Sequence, residues 1–245
     1  MLKTKLAAVL IGITITAGVL TGCKASEVKV YKGLGQVQTF RVGPGKDKKD
    51  VQVYSFSYVT ADAIFDSNGK IINVYFDALE VSTPNYDGES MPHFSGWPGT
   101  QGYNVTDHKS GEVSGLSDNS KEAITKEVNE WKTKRERGDH YGMNYDNDWH
   151  KQADFYQKFF KGKTVAEIEQ WFAKYCSDVN GRPLSEKSTN EKDKEKLGKL
   201  TAQEKKDLAD VIAGATMSLK DAHGDFIGAL KKAYENKFEV SIPGK

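Results

Sequence analysis

The chain lacks a charge imbalance and has very little cysteine. It contains 35 Lys and Arg residues against 34 Asp and Glu residues, so its formal charge at pH 7 is only +1. A balance this close to neutral does not favour nucleic-acid binding, which usually needs a strongly basic surface. Two cysteines in 245 residues exclude a disulfide-rich scaffold. A hydrophobic content of 38% and a charged content of 28% are typical of a soluble globular domain with polar insertions.

Several motifs that identify catalytic or metal sites are also missing. The five histidines are scattered and form no metal-binding spacing with a third ligand nearby, so no metal site is predicted. The sequence has no Gly-x-Ser-x-Gly elbow, no Cys-x-x-Cys-His haem motif and no carboxylate pair that stands out from the charged background. Lys32-Gly33-Leu34-Gly35 lacks the third glycine and the helix of a dinucleotide loop, so we interpret it as a turn between two strands. The absence of such a fingerprint argues against direct use of NADH.

The N-terminus has the pattern of a signal segment. Lys3 and Lys5 precede an uncharged, mainly apolar run over residues 6–20, which is short for a membrane span. The run ends in Leu20-Thr21-Gly22-Cys23, which resembles a lipobox. This resemblance implies that residues 1–22 are removed, that Cys23 is diacylated, and that residues 23–27 tether the protein to the outer face of a bacterial cytoplasmic membrane. The alternative is a soluble secreted protein with an incidental Cys23.

Strand patterns come first in the chain and helical patterns follow. This order predicts an α+β fold, with an antiparallel sheet from the N-terminal half packed against helices from the C-terminal half, in one domain over residues 28–245. Asn180 to Gly198 is highly charged and is interpreted as an exposed loop. Cys176, which follows an aromatic helical face, is expected to be a buried apolar residue. Strands are predicted at residues 28–31, 36–42, 51–65, 71–81 and 238–242, and helices at residues 120–137, at 148–160, from Thr164, from Thr201 and after Thr216.

The stretch from Asp210 to Thr216 lies between two of the helical patterns. Gly214 stands where a helix C-cap is expected, and Ala215 is also small. We therefore expect Thr216 at a tight helix-to-helix junction near the N-terminus of the second helix. Free backbone N–H groups and the helix dipole favour an anion such as phosphate at that place. An ordinary helix–turn–helix with a glycine cap is the alternative.

Asp210, Gly214, Ala215 and Thr216 match the acceptor motif of the FMN-binding domain family, which this stretch resembles. The resemblance implies that the Thr216 hydroxyl carries FMN as a phosphoester, installed from FAD by a separate Mg-dependent FAD:protein FMN transferase. Ala213 departs from the motif, because Ser or Thr is usual there. Asp107-His108-Lys109-Ser110-Gly111 has a similar spacing but no hydroxyl at the acceptor position. One covalent FMN is therefore expected.

Two further segments resemble parts of extracellular flavinylated lipoproteins. The aromatic loop, residues 91–103, places aromatic side chains and His93 among Gly and Pro turns. Planar side chains of this kind suit a flavin ring, and we predict Trp97, Tyr103 and Met143 as ring contacts. The alternative is that the aromatics of the loop fill the domain core. The cations of Lys134-Arg135-Glu136-Arg137 either reach the cofactor or are solvated charges in a last helical turn, and the second interpretation is favoured.

The resemblance implies an electron-transfer flavoprotein more than an enzyme with its own organic substrate. It implies relay of electrons from a membrane quinol-linked donor to an external acceptor, with FMN supplying the redox chemistry. Its implied partners are the flavin transferase, this donor, this acceptor and the membrane, without nucleic acid. Two alternatives remain. One is a non-catalytic binding lipoprotein that uses the loop around Trp97, and the other is an extracellular flavin-dependent reductase.

Overall fold

The computed structural model describes residues 28–86, 91–107, 109–141 and 148–242, in which long strands precede helices. The strands are β1 (Val28–Lys46), β2 (Gln52–Phe65), β3 (Ile71–Ser82), β4 (Asn104–Thr106), β5 (Val113–Leu116), β6 (Lys220–Asp221), β7 (Gly224–Asp225) and β8 (Phe238–Ile242). The helices are α1 (Lys121–Asn129), α2 (Lys134–Arg137), α3 (Trp149–Phe160), α4 (Val165–Tyr175), α5 (Glu191–Gly198), α6 (Ala202–Gly214) and α7 (Phe226–Glu235), with a 3₁₀ turn at Gly138–Tyr141.

The main sheet has the strand order β3-β2-β1-β8, and every neighbouring pair is antiparallel. The turn between β2 and β3 forms as its sequence predicts: Asp66 Oδ1 accepts hydrogen bonds from the N–H groups of Asn68 and Lys70 at 2.9 and 2.8 Å, and Gly69 has a φ of 77°. Helices α3 and α7 pack against this sheet. The predicted α+β class is therefore confirmed, with β8 added to the sheet from the C-terminal end.

The predicted turn at Lys32–Gly35 is wrong, because β1 runs through it without interruption and pairs with β2 from Tyr31 to Val42. Gly33 and Gly35 instead permit a close approach by α7. A Cβ at Gly33 would lie 1.8 Å from the carbonyl oxygen of Ala233, and one at Gly35 would lie 1.9 Å from that of Ala229. These glycines are thus packing positions and not turn positions.

Helices α3 and α7 cover one face of the sheet, which we call the inner face; the opposite side is the outer face. On the inner face, Phe76 of β3 makes edge contacts with Phe160 of α3 and Phe226 of α7, with ring centroids 6.1 and 5.7 Å apart. The sequence of α3 places four apolar residues at helical spacing, which predicts that they face inward, and all four are buried: Trp149, Ala153, Tyr156 and Phe160. Burial of this apolar stripe is the main stabilisation of the helix layer.

The predicted starts of α4 and α6 are confirmed. Thr164 and Thr201 each accept a hydrogen bond from the backbone three residues on, and Glu167 and Glu204 bond back to the cap residues. On α4, Ile168 is fully buried, whereas the large aromatic residues that follow it at helical spacing are half-buried: Trp171, Phe172 and Tyr175.

Two predicted elements differ from the structure. The helix predicted at residues 120–137 begins at the Ser120 cap but ends at Asn129, and a new capping box at Thr133 starts α2. The loop predicted at residues 180–198 contains α5, and its Leu184 and Leu197 are buried. These two leucines pack with Leu200 and Leu208 in a second, smaller core. The apolar partners of these leucines thus lie just beyond the charged stretch, before and within α6.

The predicted signal segment at residues 1–22, its lipidation site Cys23 and the tether to residue 27 lie outside the described residues. Within the ranges that are described, none of the helices combines the length and the hydropathy that a bilayer span needs. The membrane association of this chain therefore stays a prediction from its N-terminal sequence.

Candidate functional site

Thr216 lies at the surface immediately after α6, and the two residues before it are small. Ala215 is fully buried, and a Cβ at Gly214 would lie 2.2 Å from the ring of Phe155 on α3. Helix α6 therefore ends in close contact with α3, and the chain continues in extended conformation at Ala215. The side chain of Thr216 is exposed. The C-cap expected at Gly214 lies one residue later, because Gly214 is the last residue of α6 and Ala215 is the cap.

The expectation that Thr216 begins a second helix is wrong. The chain after Thr216 forms the short β6–β7 hairpin, and α7 starts only at Phe226, capped by Asp225. The N–H groups of Thr216 and Met217 both donate to Oε1 of Gln152, each at 2.8 Å. A side-chain amide, and not a helix terminus, thus organises the backbone at this position.

Gln152 is a site residue that the sequence analysis missed. Its side chain is 1% exposed, although it lies among the apolar inward residues of α3. Its Oε1 also lies 3.5 Å from the Thr216 hydroxyl, at the limit of a hydrogen bond. A buried amide needs partners, so a glutamine on the inward face of a helix was the available signal. Gln152 ties α3 to the segment that presents Thr216.

A cavity of about 210 Å³ lies beside this segment, and we call it the Thr216 cavity. Met217 and Ser218, the next two residues of the chain, form part of its wall. Aromatic rings and cationic side chains form most of the remainder. The other lining residues are Lys134, Tyr141, Trp149, Arg182, Asp221, His223 and Phe226.

Lys134 brings a buried positive charge to the Thr216 cavity. It is 5% exposed, and its Nζ lies 3.0 Å from Oε2 of Glu80, which is equally inaccessible at 6%. Burial disfavours the charged amine, but attraction and hydrogen bonding from Tyr141 and Glu80 outweigh it and raise the pKa of Lys134 above 10.5. The favoured interpretation of this run as solvated cations is therefore wrong for Lys134.

Arg135 is also held by the fold. It donates to Gln157 Oε1 at 2.6 Å, forms an ion pair with Asp154 at 2.8 Å and lies over the Tyr75 ring, 4.5 Å from its centroid. Its Nε donates to the carbonyl of Phe76. These contacts fix α2 against β3 and α3, and so position Lys134 at the cavity.

His223 is held on another side of the cavity by charged groups from two elements. Its Nε2 lies 2.7 Å from Nη1 of Arg41 on β1, and its Nδ1 lies 3.2 Å from Oδ2 of Asp221. Because arginine can only donate, Nε2 must accept, and the proton belongs on Nδ1 facing Asp221. Burial favours neutral Asp221, but hydrogen bonds from His223 outweigh it and lower the pKa of Asp221.

The structure brings some of the predicted site residues together and separates others. Asp210 is exposed on the last turn but one of α6, close in sequence to Thr216. Trp97 and Tyr103 line a different cavity, and neither is among the described residues that line the Thr216 cavity. Met143 lies outside the described residues. The described residues that line the Thr216 cavity instead include the aromatic side chains of Trp149, Tyr141 and Phe226.

Comparison with known proteins gives one informative similarity. The chain matches no protein-family model and no solved structure. It is 38% identical over 221 residues to a protein named Chlorophenol reductase from Desulfitobacterium hafniense. The aligned region covers 86% of this chain but 59% of that protein. The chain thus corresponds to somewhat more than half of the length of a relative that is named as a reductase.

Proposed function

We propose that this chain is a redox protein that carries FMN covalently on Thr216. The redox class is supported by the 38% identity to a protein named as a reductase. The FMN attachment is supported by the acceptor motif from Asp210 to Thr216. Because the similarity covers only 59% of the relative's length, we infer from it the class of chemistry and not the substrate.

The observation that carries the proposal is the placement of the Thr216 hydroxyl. An acceptor hydroxyl has to be accessible to a modifying enzyme, and Thr216 is exposed. It must also stand on a fixed backbone if the attached group is to sit in one place. Gln152 and the buried Ala215 provide that fixation. Thr216 satisfies both requirements.

The Thr216 cavity has side chains that fit a flavin nucleotide. Trp149, Tyr141 and Phe226 offer planar apolar surfaces for a ring, and Lys134 and Arg182 offer positive charge for a phosphate or for the electron-rich edge of the ring. When bound, FMN supplies one- and two-electron chemistry. Lys134 keeps its charge at neutral pH because its pKa is raised, so its contribution to the site persists across the physiological range.

The size of the Thr216 cavity favours electron relay over turnover of an enclosed substrate. Its volume of about 210 Å³ is below the roughly 300–1,000 Å³ of sites that enclose a drug-sized ligand. Part of a nucleotide held there would remain accessible to solvent and to partners. We therefore favour electron relay, with a membrane quinol-linked donor and an external acceptor as partners. The proposed lipid anchor at the outer face of the bacterial cytoplasmic membrane is Cys23, on the basis of the N-terminal sequence.

A flavin-dependent reductase with its own organic substrate is the second candidate. The name of the relative favours it, because that protein is named for a small organic substrate. This candidate predicts saturable turnover of the substrate by the flavin-loaded chain alone. The electron relay predicts that the flavin-loaded chain reduces several external acceptors, and that the rate does not saturate with one acceptor in particular.

Mass spectrometry tests the attachment directly. The chain is co-expressed with an FAD:protein FMN transferase, and intact and peptide masses are measured. A gain of one FMN less one water, located on Thr216, is the expected result. Thr216→Ala should abolish the gain, Thr216→Ser should retain it, and Ser218→Ala, which alters a neighbouring hydroxyl of the cavity wall, should leave it unchanged.

An unmodified chain, in a culture where the transferase modifies a control substrate, would overturn the covalent attachment. Modification of Ser218 in place of Thr216 would overturn the assignment of the acceptor. Either result would favour the non-catalytic binding lipoprotein, unless the unmodified chain binds free FMN and transfers electrons with it.

A further inference from the structure

The outer face of the sheet carries an exposed group of aromatic side chains that the proposed redox site does not use. Phe40 of β1 pairs directly with Phe56 of β2, and the rings of Phe40 and Tyr54 stack with centroids 5.9 Å apart. Phe40 is 69% exposed, and Phe56 is 40% exposed. A contiguous apolar surface of this kind is uncommon on a soluble domain and usually marks a binding site.

The aromatic loop borders the same region and is held rigidly. Its Phe94 N–H donates to the carbonyl of Ser82 at the end of β3, at 2.9 Å. The carbonyl of Trp97 accepts from the Thr100 hydroxyl at 2.7 Å and from Nδ2 of Asn119 at 3.1 Å. The Trp97 ring nevertheless remains 69% exposed. A fixed backbone that presents an unburied indole is preorganised for a ligand.

Two adjoining cavities lie between the outer face and the aromatic loop, and we call them together the aromatic cleft. Their volumes are about 520 and 150 Å³, and Phe94 and Tyr103 line both. Among the described residues that line the cleft, none is charged, although charged residues make up 28% of the sequence. Polar groups that can meet a ligand oxygen include Gln101 and Tyr103.

We propose that the aromatic cleft binds an uncharged planar aromatic molecule that carries hydroxyl or carbonyl oxygens, of the phenol or quinone class. The stacked rings fit a planar partner, and the polar groups at the mouth fit one or two oxygens. The described lining residues include no cation, which disfavours a nucleotide or another phosphate-bearing molecule, because its charge would be removed from water without compensation.

The aromatic cleft is separate from the Thr216 cavity, since the described residues that line the two sites have no member in common. Neighbouring residues of β1 face opposite sides of the sheet. Arg41 contacts His223 at the Thr216 cavity, whereas Phe40 lines the aromatic cleft. The proposal therefore does not depend on FMN attachment at Thr216.

Binding of 2-naphthol to the full chain, prepared without a flavin transferase, tests the proposal. The probe is uncharged and fluorescent. The chain is kept in detergent, and equilibrium dialysis measures the bound probe against a protein-free blank in the same detergent. Saturable binding to one site is expected. Trp97→Ala and Phe40→Ala should each weaken it about tenfold, because each removes one ring contact. Both side chains are largely exposed, so the fold should survive both changes.

Two controls make the test specific. Phe238→Ala removes a similarly exposed phenylalanine, 61% accessible on β8, and should leave binding unchanged. The anion 2-naphthoate has the same ring system and should bind at least about tenfold more weakly, because its charge meets no cation among the described residues of the cleft.

Non-saturable binding of 2-naphthol would overturn the proposal, as would equal loss in Phe238→Ala or equal affinity for 2-naphthoate. Size-exclusion chromatography tests a competing occupant. An oligomer that Trp97→Ala converts to a monomer would assign the cleft to contact between copies of the chain and would also overturn the proposal. Circular dichroism and the urea midpoint verify that each variant is folded.

Discussion

Lys134 illustrates how one residue links stability to the chemistry of the site. Its amine and the Glu80 carboxylate are both nearly inaccessible and lie 3.0 Å apart. Removing two charges from water costs free energy, which only close mutual contact offsets. The same contact keeps a positive charge at the wall of the Thr216 cavity. A buried ion pair adds little net stability, so the proposed flavin site gives this pair a functional explanation.

Replacing Lys134 by Met should destabilise the protein strongly. Loss of one partner of a buried pair leaves the other charge uncompensated and typically costs about 3–5 kcal/mol. Urea denaturation at pH 7 measures the free energy of unfolding. Lys132→Met, at an exposed neighbouring position, should change it by less than about 0.5 kcal/mol. The double variant Lys134→Met with Glu80→Leu should recover most of the loss, and equal effects of the single and double variants would contradict the argument.

The same ion pair predicts a dependence on alkaline pH. The pKa of Lys134 is higher in the folded state than the ordinary 10.5, so its electrostatic contribution is fully present below that value. The contribution is lost as the pH rises through the folded pKa. The difference in unfolding free energy between the natural protein and Lys134→Met should therefore be constant from neutral pH to about 9.5 and should shrink above 10.5.

At the scale of elements, the contact between β1 and α7 decides how the helix layer covers the sheet. Gly33 and Gly35 bring the strand backbone against the backbone carbonyls of α7. This approach lets the apolar side of α7, including Ala229, Leu230 and Ala233, lie fully buried on the inner face. Helix α7 follows the β6–β7 hairpin directly, so its position also sets that of His223.

Gly35→Ala should displace α7 and destabilise the protein. The new methyl group would lie 1.9 Å from a backbone oxygen, which cannot move aside as a side chain can. We expect a loss of about 3 kcal/mol or more, at the upper end for overpacking. Gly115→Ala on β5, where no atom lies within 4 Å of the added carbon, serves as the matched control. Chemical denaturation of both variants compares them, and equal midpoints would contradict the packing account.

The prediction of individual elements succeeded where the determining contacts are local. The Thr164 and Thr201 capping boxes and the turn after Asp66 involve residues a few positions apart, and all of them form. The turn predicted at Lys32–Gly35 failed because the partner that explains its glycines, α7, lies about 200 residues further along the chain. Such a distant partner cannot be predicted from the local sequence of the strand.

At the scale of the whole molecule, two apolar cores hold the C-terminal half together. The larger one joins the sheet to α3, α4 and α7, and the smaller one lies between the segment after α4 and helices α5 and α6. Cys176 ends α4 and belongs to the larger core. Burial raises the pKa of its thiol to about 12, which outweighs the opposing effect of Lys196. The expectation of a buried apolar cysteine is confirmed.

Cys176 should therefore report global unfolding. A buried thiol with a raised pKa is almost entirely protonated at pH 8, and the protonated form does not react with iodoacetamide. Peptide mass spectrometry should find Cys176 unlabelled in the native chain and fully labelled in urea, with a labelling rate that follows the unfolded fraction. Rapid native labelling of Cys176 would show that this core opens without unfolding.

The sequence by itself determined the α+β order of elements, the capped helix starts and the inward residues of α3, because each depends on spacing along the chain. It indicated Thr216 as an acceptor only through the resemblance of residues 210–216 to a known motif. Only the tertiary structure decided what supports Thr216 and what lines the cavity beside it. The support from Gln152, the Lys134–Glu80 pair and the contact of His223 with Arg41 join residues more than 50 positions apart. The tertiary structure also placed Trp97 and Tyr103 in the aromatic cleft, apart from the Thr216 cavity. The physical reason is that burial and pairing of polar groups are properties of the packed chain, which residue spacing does not encode.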